Sequence, residues 1–217
     1  MSKPKVIFLD AVGTLFGVKG GVGKVYSEIA RDFGVDVSPK DIHPAFYHCY
    51  RQTPPLAFPD VSFIDIPEKE YYWWHDLVQA TFKKTGALPQ FDNFGAFFQQ
   101  LYAYFTTPDP WIVYPDILPV LETWRRERVE LGIISNFDSR LHGLIGTLEL
   151  EKFFTSITIS SASGAAKPEA KIFEIALKKH ECQPENAWHI GDSVENDYKA
   201  AKKAGLRSFL LDRNHKK

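Results

Sequence analysis

Lys5-Val6-Ile7-Phe8-Leu9-Asp10-Ala11-Val12-Gly13-Thr14-Leu15-Phe16 is the stretch that decides the fold. An apolar run behind a lysine stops at a carboxylate and a Gly-Thr turn. So short an unbroken apolar run reads as a strand covered on both faces, which delivers Asp10 to its C-terminal end. In an open α/β sheet, ligands bind outside that edge. A carboxylate there can attack phosphorus or carbon, or hold a metal. An acid ending a strand can equally serve a turn or a cap, and later segments must decide between the two.

Further strand-like runs fall at 131–135, 157–160, 187–190 and 208–211. Helical patterns at 117–128, 141–150, 170–180 and 197–204 separate or follow them. Strands alternating with amphipathic helices imply right-handed crossovers and a parallel sheet. The expected fold is therefore α/β, a Rossmann-like parallel sheet with helices on both faces. The interval 17–111 differs: it reads as helices at 22–33, 41–51, 68–84 and 94–105, parted by Pro and Gly clusters, with no convincing strand. It is rich in aromatics, Tyr71-Tyr72-Trp73-Trp74 among them, which at helical spacing build a core. The expected organisation is an α/β domain from 1–16 and 112–217, with an inserted all-helical module at 17–111.

Bulk properties narrow the functions. The chain has 217 residues, 44% hydrophobic and 24% charged, with net charge −1. No global field favours nucleic acid or an anionic membrane, and no run is long enough to span a bilayer. Cys49 and Cys182 lie far apart without metal-ligand spacing, which fits free buried thiols in a reducing compartment. Met-Ser-Lys-Pro-Lys runs directly into the first strand, so the expected location is cytoplasmic. The basic tail 213–217 is expected to fray.

Three later segments bear on Asp10. Ile134-Ser135-Asn136-Phe137-Asp138 ends a strand in a hydroxyl and an amide, neutral groups that can hold phosphoryl or carboxylate oxygens. Asp138 or Ser139 as a cap for the next helix explains the same letters equally well. In Ala166-Lys167-Pro168-Glu169, Pro168 suits the first helical position, which puts Lys167 at the positive end of a helix dipole. Anion binding explains such a placement; a solvated loop lysine explains it too. In His189-Ile190-Gly191-Asp192-Ser193-Val194-Glu195-Asn196-Asp197, two carboxylates follow a strand's end. With Asp10 they make a hard oxygen site suited to Mg²⁺, although Asp192 and Glu195 also fit a capping box. His189, inside the strand, reads as a satisfied core histidine.

Each segment closes or follows a strand, in order, and parallel strands bring their C-terminal ends together. At this point the chain resembles the haloacid dehalogenase-like (HAD) hydrolase superfamily over essentially its whole length. Asp10-Ala11-Val12-Gly13-Thr14-Leu15 resembles its first motif, Ser135-Asn136 its second, Lys167 its third, and Gly191-Asp192 with Asp197 its fourth. The inserted helices resemble its cap. Ile134-Ser135-Asn136-Phe137-Asp138 and Tyr50-Arg51 are similar to the "haloacid dehalogenase-like hydrolase domain-containing" branch.

The resemblance implies that Asp10 attacks a small, phosphorylated substrate and forms an aspartyl intermediate that water hydrolyses. It implies Mg²⁺ held by Asp10, the Val12 carbonyl and Asp192, with Asp197 behind. Lys167 and Ser135 would act on the phosphoryl group, beside substrate-binding Gly13, Thr14 and Asn136. Val12 departs from the pattern, because phosphatases of the superfamily carry an acid there that protonates the leaving alcohol. General acid–base help is worth about 10²–10⁴-fold, so the expectation is a weak phosphomonoesterase. Two other chemistries follow from the same valine: dehalogenation, whose leaving halide needs no proton, and phosphonate cleavage, for which Lys24, Lys69 and Lys83 are candidate cap lysines. A catalytically degenerate ligand- or partner-binding protein is a third reading. Lys19-Gly20-Gly21-Val22-Gly23-Lys24 resembles a variant P-loop, but Val25 stands where a metal-binding hydroxyl belongs and no independent strand is expected before it. Arg51 reads as a surface arginine of the cap, with a substrate anion as the other use. The oligomeric state is not encoded in any of these segments.

Overall fold

The structure, a computed structural model, describes residues 3–213. Its strands are β1 (Val6–Leu9), β2 (Phe16–Val18), β3 (Trp111–Val113), β4 (Glu130–Ser135), β5 (Ser156–Ile159), β6 (Ala187–Gly191) and β7 (Arg207–Leu210). Five of them form one parallel sheet in the order β5-β4-β1-β6-β7. From β1 the chain extends the sheet one way through β4 and β5, then returns to the other side of β1 for β6 and β7. That reversal is a topological switch point, where an open α/β sheet leaves a crevice at its C-terminal edge. β1 is buried throughout, as its unbroken apolar run requires.

The chain divides into two compact units. One holds the sheet with α5 (Ile117–Arg126), α6 (Arg140–Thr147), α7 (Ser160–Ser163), α8 (Ala170–Lys179) and α9 (Ala200–Lys203). Ile172, Phe173, Ala176 and Leu177 of α8 pack with Ala200 and Ala201 of α9 on Val6 and Phe8 of the sheet. At the opposite end of the strands, His180 bonds Ser156 Oγ (2.6 Å) and Glu130 Oε2 (2.6 Å) and meets Phe8 edge-on. It staples the starts of β4 and β5 to the end of α8.

The other unit is built on α1 (Val22–Asp32), α2 (Pro39–Gln52), α3 (Ile66–Lys84) and α4 (Phe94–Tyr104). Ser38 caps α2 by accepting from Lys40 N, and Asn93 caps α4 by accepting from Ala96 N. Phe46, Phe82, Phe97 and Phe98 fill the core, with Tyr71, Trp73 and Trp74 packed against it and Tyr72 exposed.

Three expectations change. Leu56–Ile66 lies within the segment read as the helical module, yet it groups with the α/β unit. Ser160 donates to the Leu56 carbonyl at 2.5 Å, and Gly164, at φ 61°, leaves room for Pro59. β2 and β3 form a two-stranded sheet that the sequence does not announce, since three residues carry no period. A strand therefore does precede the glycine run, but Val25 is buried in the helical core and Gly23 serves the close approach of α1 to Pro39. Pro168 is not in a helix: α8 begins at Ala170, and Lys167–Pro168 is a cis peptide.

Both cysteines are free and buried. Among the described residues no helix is long and apolar enough to cross a membrane. Residues 214–217 of the basic tail lie outside the described residues, whereas Arg213 is anchored: it donates to the Thr14 carbonyl and to Asp116 (2.6 Å each) and stacks on Tyr114.

Candidate active site

Strand register assembles the site. Leu9 stands opposite Ile133 of β4 and Ile190 of β6, so Asp10 comes level with Ile134 and Gly191 at the C-terminal edge. Asp10 N donates to the Ile190 carbonyl (2.9 Å), which prolongs the pairing by one residue. The chain then turns sharply, with Thr14 N and Leu15 N donating to the Ala11 carbonyl. That turn returns Thr14 Oγ1 to Asp10 Oδ2 at 3.3 Å. Ser135 ends β4 at the same rim and is 3% exposed.

Lys167 arrives from the loop between α7 and α8. Its Nζ donates to Asp10 Oδ1 at 2.7 Å and to Asp197 Oδ1 at 2.5 Å, almost wholly shielded from solvent. Asn136 holds this loop: Nδ2 donates to the Lys167 carbonyl and Oδ1 accepts from Lys167 N, both at 2.8 Å. Asn136, expected as a substrate contact, has both ends of its amide on the lysine's main chain. Asp138 is fully buried and takes Arg140 through its main-chain N and its guanidinium at 2.7–2.9 Å, which fixes the turn after β4.

Asp192 and Asp197 complete the cluster. One carboxylate oxygen from each of Asp10, Asp192 and Asp197 can be chosen so that all lie within 4.8 Å of one another. Two glycines permit this. A Cβ on Gly13, at φ 94°, would collide with the Asp192 carboxylate, and one on Gly191 would collide with that of Asp197. The alternative reading of Asp192 and Glu195 as a capping box does not hold: Ser193 caps the turn by accepting from Asn196 N (3.1 Å), and Glu195 pairs with Lys199. Val194–Lys199 is a π-helical turn, a wide geometry often found at functional sites. It folds Asp197 back so that Oδ2 accepts from Ser193 N (3.0 Å).

Burial and charge set the protonation states. Burial pushes the Asp10 carboxyl up to about 6, with Lys167 opposing and Asp197 adding to the rise. Burial alone would weaken the Lys167 ammonium, but Asp10 and Asp197 outweigh it and hold its pKa above the ordinary lysine value. Asp197 is also buried, yet Lys167 and His189 keep it well below the usual carboxylate range. Asp192 belongs to the solvent-exposed rim, but its carboxyl is turned in against Gly13; desolvation and then Asp197 raise its pKa.

Two donors to this network escaped the sequence. His189 sets Nε2 against Asp197 Oδ1 (2.9 Å), and burial lowers its pKa from the ordinary imidazole value, with Asp197 opposing. Arg213 ties the last described residue to the turn after Asp10. Arg213 meets Thr14 across 199 residues, and Asp197, though only eight residues past His189, is brought back to it by the π-helical turn. Val12 is 36% exposed and offers no side-chain proton. Lys24, Lys69, Lys83 and Arg51 belong to the helical unit, where Arg51 lines a groove of about 550 Å³ with Asp41, His48 and Lys84.

The donor set fits Mg²⁺ by its chemistry: hard carboxylate oxygens at a rim, with one of the three acids open to solvent.

The haloacid dehalogenase-like hydrolase family matches residues 4–205. Haloacid dehalogenase-like hydrolase domain-containing protein 3 of Xenopus laevis is 32% identical over 207 residues, covering 95% of this chain and 84% of the relative. A HAD phosphatase from Thermococcus onnurineus superposes with a TM-score of 0.65 at 23% identity, covering 98% of this chain and 88% of that one. The L-2-haloacid dehalogenase from Xanthobacter autotrophicus reaches 0.70 at 17% identity, covering 98% and 79%.

Proposed function

This chain belongs to the haloacid dehalogenase-like hydrolases, and from that premise we propose that it is a Mg²⁺-dependent hydrolase of a small phosphorylated metabolite, with Asp10 as nucleophile. The observation that carries this reading is the Lys167 ammonium bound to Asp10 beside the three-carboxylate cluster. A carboxylate and a phosphate repel, and two cationic elements at one rim are what brings them together.

Asp10 and Asp192 would hold the cation together with the Val12 main chain, with Asp197 in support behind them. Bound there, Mg²⁺ supplies charge neutralisation for the phosphoryl oxygens. Lys167 reaches the same oxygens, and Ser135 offers a neutral hydroxyl to them. An Asp10 oxygen attacks phosphorus, the bond to the leaving oxygen breaks, and an acyl phosphate stands on Asp10. Water then attacks that phosphorus, releases inorganic phosphate and restores the carboxylate. Asn136 keeps Lys167 in place through both steps. Thr14 holds the Asp10 oxygen that Lys167 does not.

Val12 has no proton to give the departing oxygen, so good leaving groups such as acyl or aryl phosphates are favoured over alkyl esters. The same observation favours a second reading, 2-haloacid dehalogenation, in which halide departs unprotonated. A panel of acyl phosphates, aryl and alkyl phosphates and 2-haloacids, run with and without Mg²⁺ on wild type and Asp10→Asn, separates the two. Metal-dependent phosphate release lost in Asp10→Asn supports the proposal. Metal-independent halide release supports the alternative. Turnover indifferent to Asp10→Asn would sink both.

A further inference from the structure

His189 is fully buried in β6, where an aliphatic residue would pack at lower cost. Phe173 meets its ring edge-on at 5.3 Å and 89°, which fixes the plane. Its Nδ1 is buried with no hydrogen-bond partner among the described residues. A buried histidine kept only for packing gains nothing from that orphan nitrogen, so the value of the imidazole must lie in its other end. There, Nε2 contacts Asp197 Oδ1, the oxygen that also receives Lys167 Nζ. An ionised carboxylate only accepts, so Nε2 carries the proton and Nδ1 the lone pair.

We infer that His189 is a positioning residue: its Nε2–H holds Asp197 Oδ1 on Lys167 Nζ, so that Asp197 serves the lysine while Asp192, with Asp10, is left to the metal. Three donors fix Asp197: Ser193 N on Oδ2, and His189 Nε2 and Lys167 Nζ on Oδ1. Removing the imidazole donor leaves only the lysine to hold Oδ1, and the carboxylate then turns toward the bound cation. Lys167 loses its second anchor, and the oxyanion site loosens while the metal site does not. The inference rests on the proposed phosphate chemistry for its ligand readout, but the placement of Lys167 can be read without any ligand.

The test compares wild type with His189→Gln, whose amide reaches the Nε2 position, with His189→Asn, whose amide stops at Nδ1, and with His189→Phe. Inorganic phosphate affinity in saturating Mg²⁺ should fall about tenfold in His189→Asn and His189→Phe and return to within about threefold in His189→Gln. Affinity for Mg²⁺ alone should not weaken in any of them. Without ligands, acetylation of Lys167 by an N-hydroxysuccinimide ester, followed by mass spectrometry, should speed up in His189→Asn and stay slow in His189→Gln. If His189→Phe does not fold, the Gln and Asn pair carries the comparison alone. Equal acetylation rates in wild type, Gln and Asn variants would overturn the inference. Wild type that binds neither Mg²⁺ nor phosphate would instead defeat the proposed function, and the acetylation contrast would still decide the role of His189.

Discussion

Asn136 and Lys167, 31 residues apart, close a two-bond clasp in which one amide side chain both donates to and accepts from one main-chain residue, each at 2.8 Å. The lysine is therefore held at its backbone by the loop after β4 and at its ammonium by two carboxylates. Asn136→Ala removes both bonds and leaves two partly buried main-chain groups unpaired, at a cost of about 2–3 kcal/mol. Melting should drop by several degrees, on the scale of about 2–4 °C per kcal/mol for a chain of this size. Phosphate affinity should fall with it. A variant that melts like wild type would show that the clasp does not restrain the loop.

Lys167→Met removes the cation from a buried cluster of acids. Breaking a buried ion pair from one side costs about 3–5 kcal/mol, some of it relieved as Asp10 takes up a proton. Mg²⁺ should then restore more thermal stability to this variant than it adds to wild type, because it replaces the missing positive charge. Scanning fluorimetry with and without Mg²⁺ measures the difference. A smaller gain in the variant would place the metal away from Asp10.

The raised Asp10 pKa gives a pH dependence. With a folded value of about 6 against 3.8 when unfolded, the native protein binds more protons between those values. The contribution of Asp10 to stability is thus complete below pH 3.8 and is lost as pH rises through about 6. Nucleophile and metal ligand both need the ionised form, so Mg²⁺ affinity should weaken below pH about 6, by up to tenfold per unit, in calorimetric titrations from pH 5 to 7.5. Asp10→Asn should reduce that dependence to what Asp192, whose pKa is also raised, contributes, and should remove most of the affinity.

Val12→Asp supplies the absent proton donor two residues beyond the nucleophile. If leaving-group protonation limits turnover, alkyl phosphate hydrolysis should rise on the order of 10²-fold or more, with little change for acyl phosphates. Rates for a series of leaving groups should show a flatter dependence on leaving-group pKa in the variant. An unchanged slope would assign proton transfer to a different group.

Gly191→Ala places a methyl on the Asp197 carboxylate. Overpacking of this kind costs about 1–3 kcal/mol, and here it also pushes Asp197 off Lys167. Chemical denaturation checks the first effect and Lys167 acetylation the second.

The sheet strands were legible to within a residue or so because doubly covered parallel strands are mostly apolar runs, as Val6–Leu9 is, while Ala187–Gly191 is interrupted by His189. Phe16–Val18 and Trp111–Val113 were not, since pairing, rather than pattern, makes them strands. The helix expected over 197–204 begins earlier, with the π-helical turn Val194–Lys199, because Asp197 must reach back to Ser193 N. The position of Asn136 after Ser135 suggests a ligand donor; the structure puts its amide on the Lys167 main chain, in a loop that local sequence does not place beside it. His189 looked like core for the good reason that it is buried, and only its Nε2 contact distinguishes it.

By itself the sequence determined the five strands of the parallel sheet, their order along the chain and which polar residues stand at their ends, since burial period and chain order are local properties. The tertiary structure alone decided that Lys167 meets Asp10 across 157 residues, that Asn136 holds the lysine's main chain, and that Asp197 faces Lys167 and His189. Those partnerships depend on strand register, on two glycines that leave space for carboxylates, and on loop closure, and none of these can be read from the neighbours of a residue in the chain.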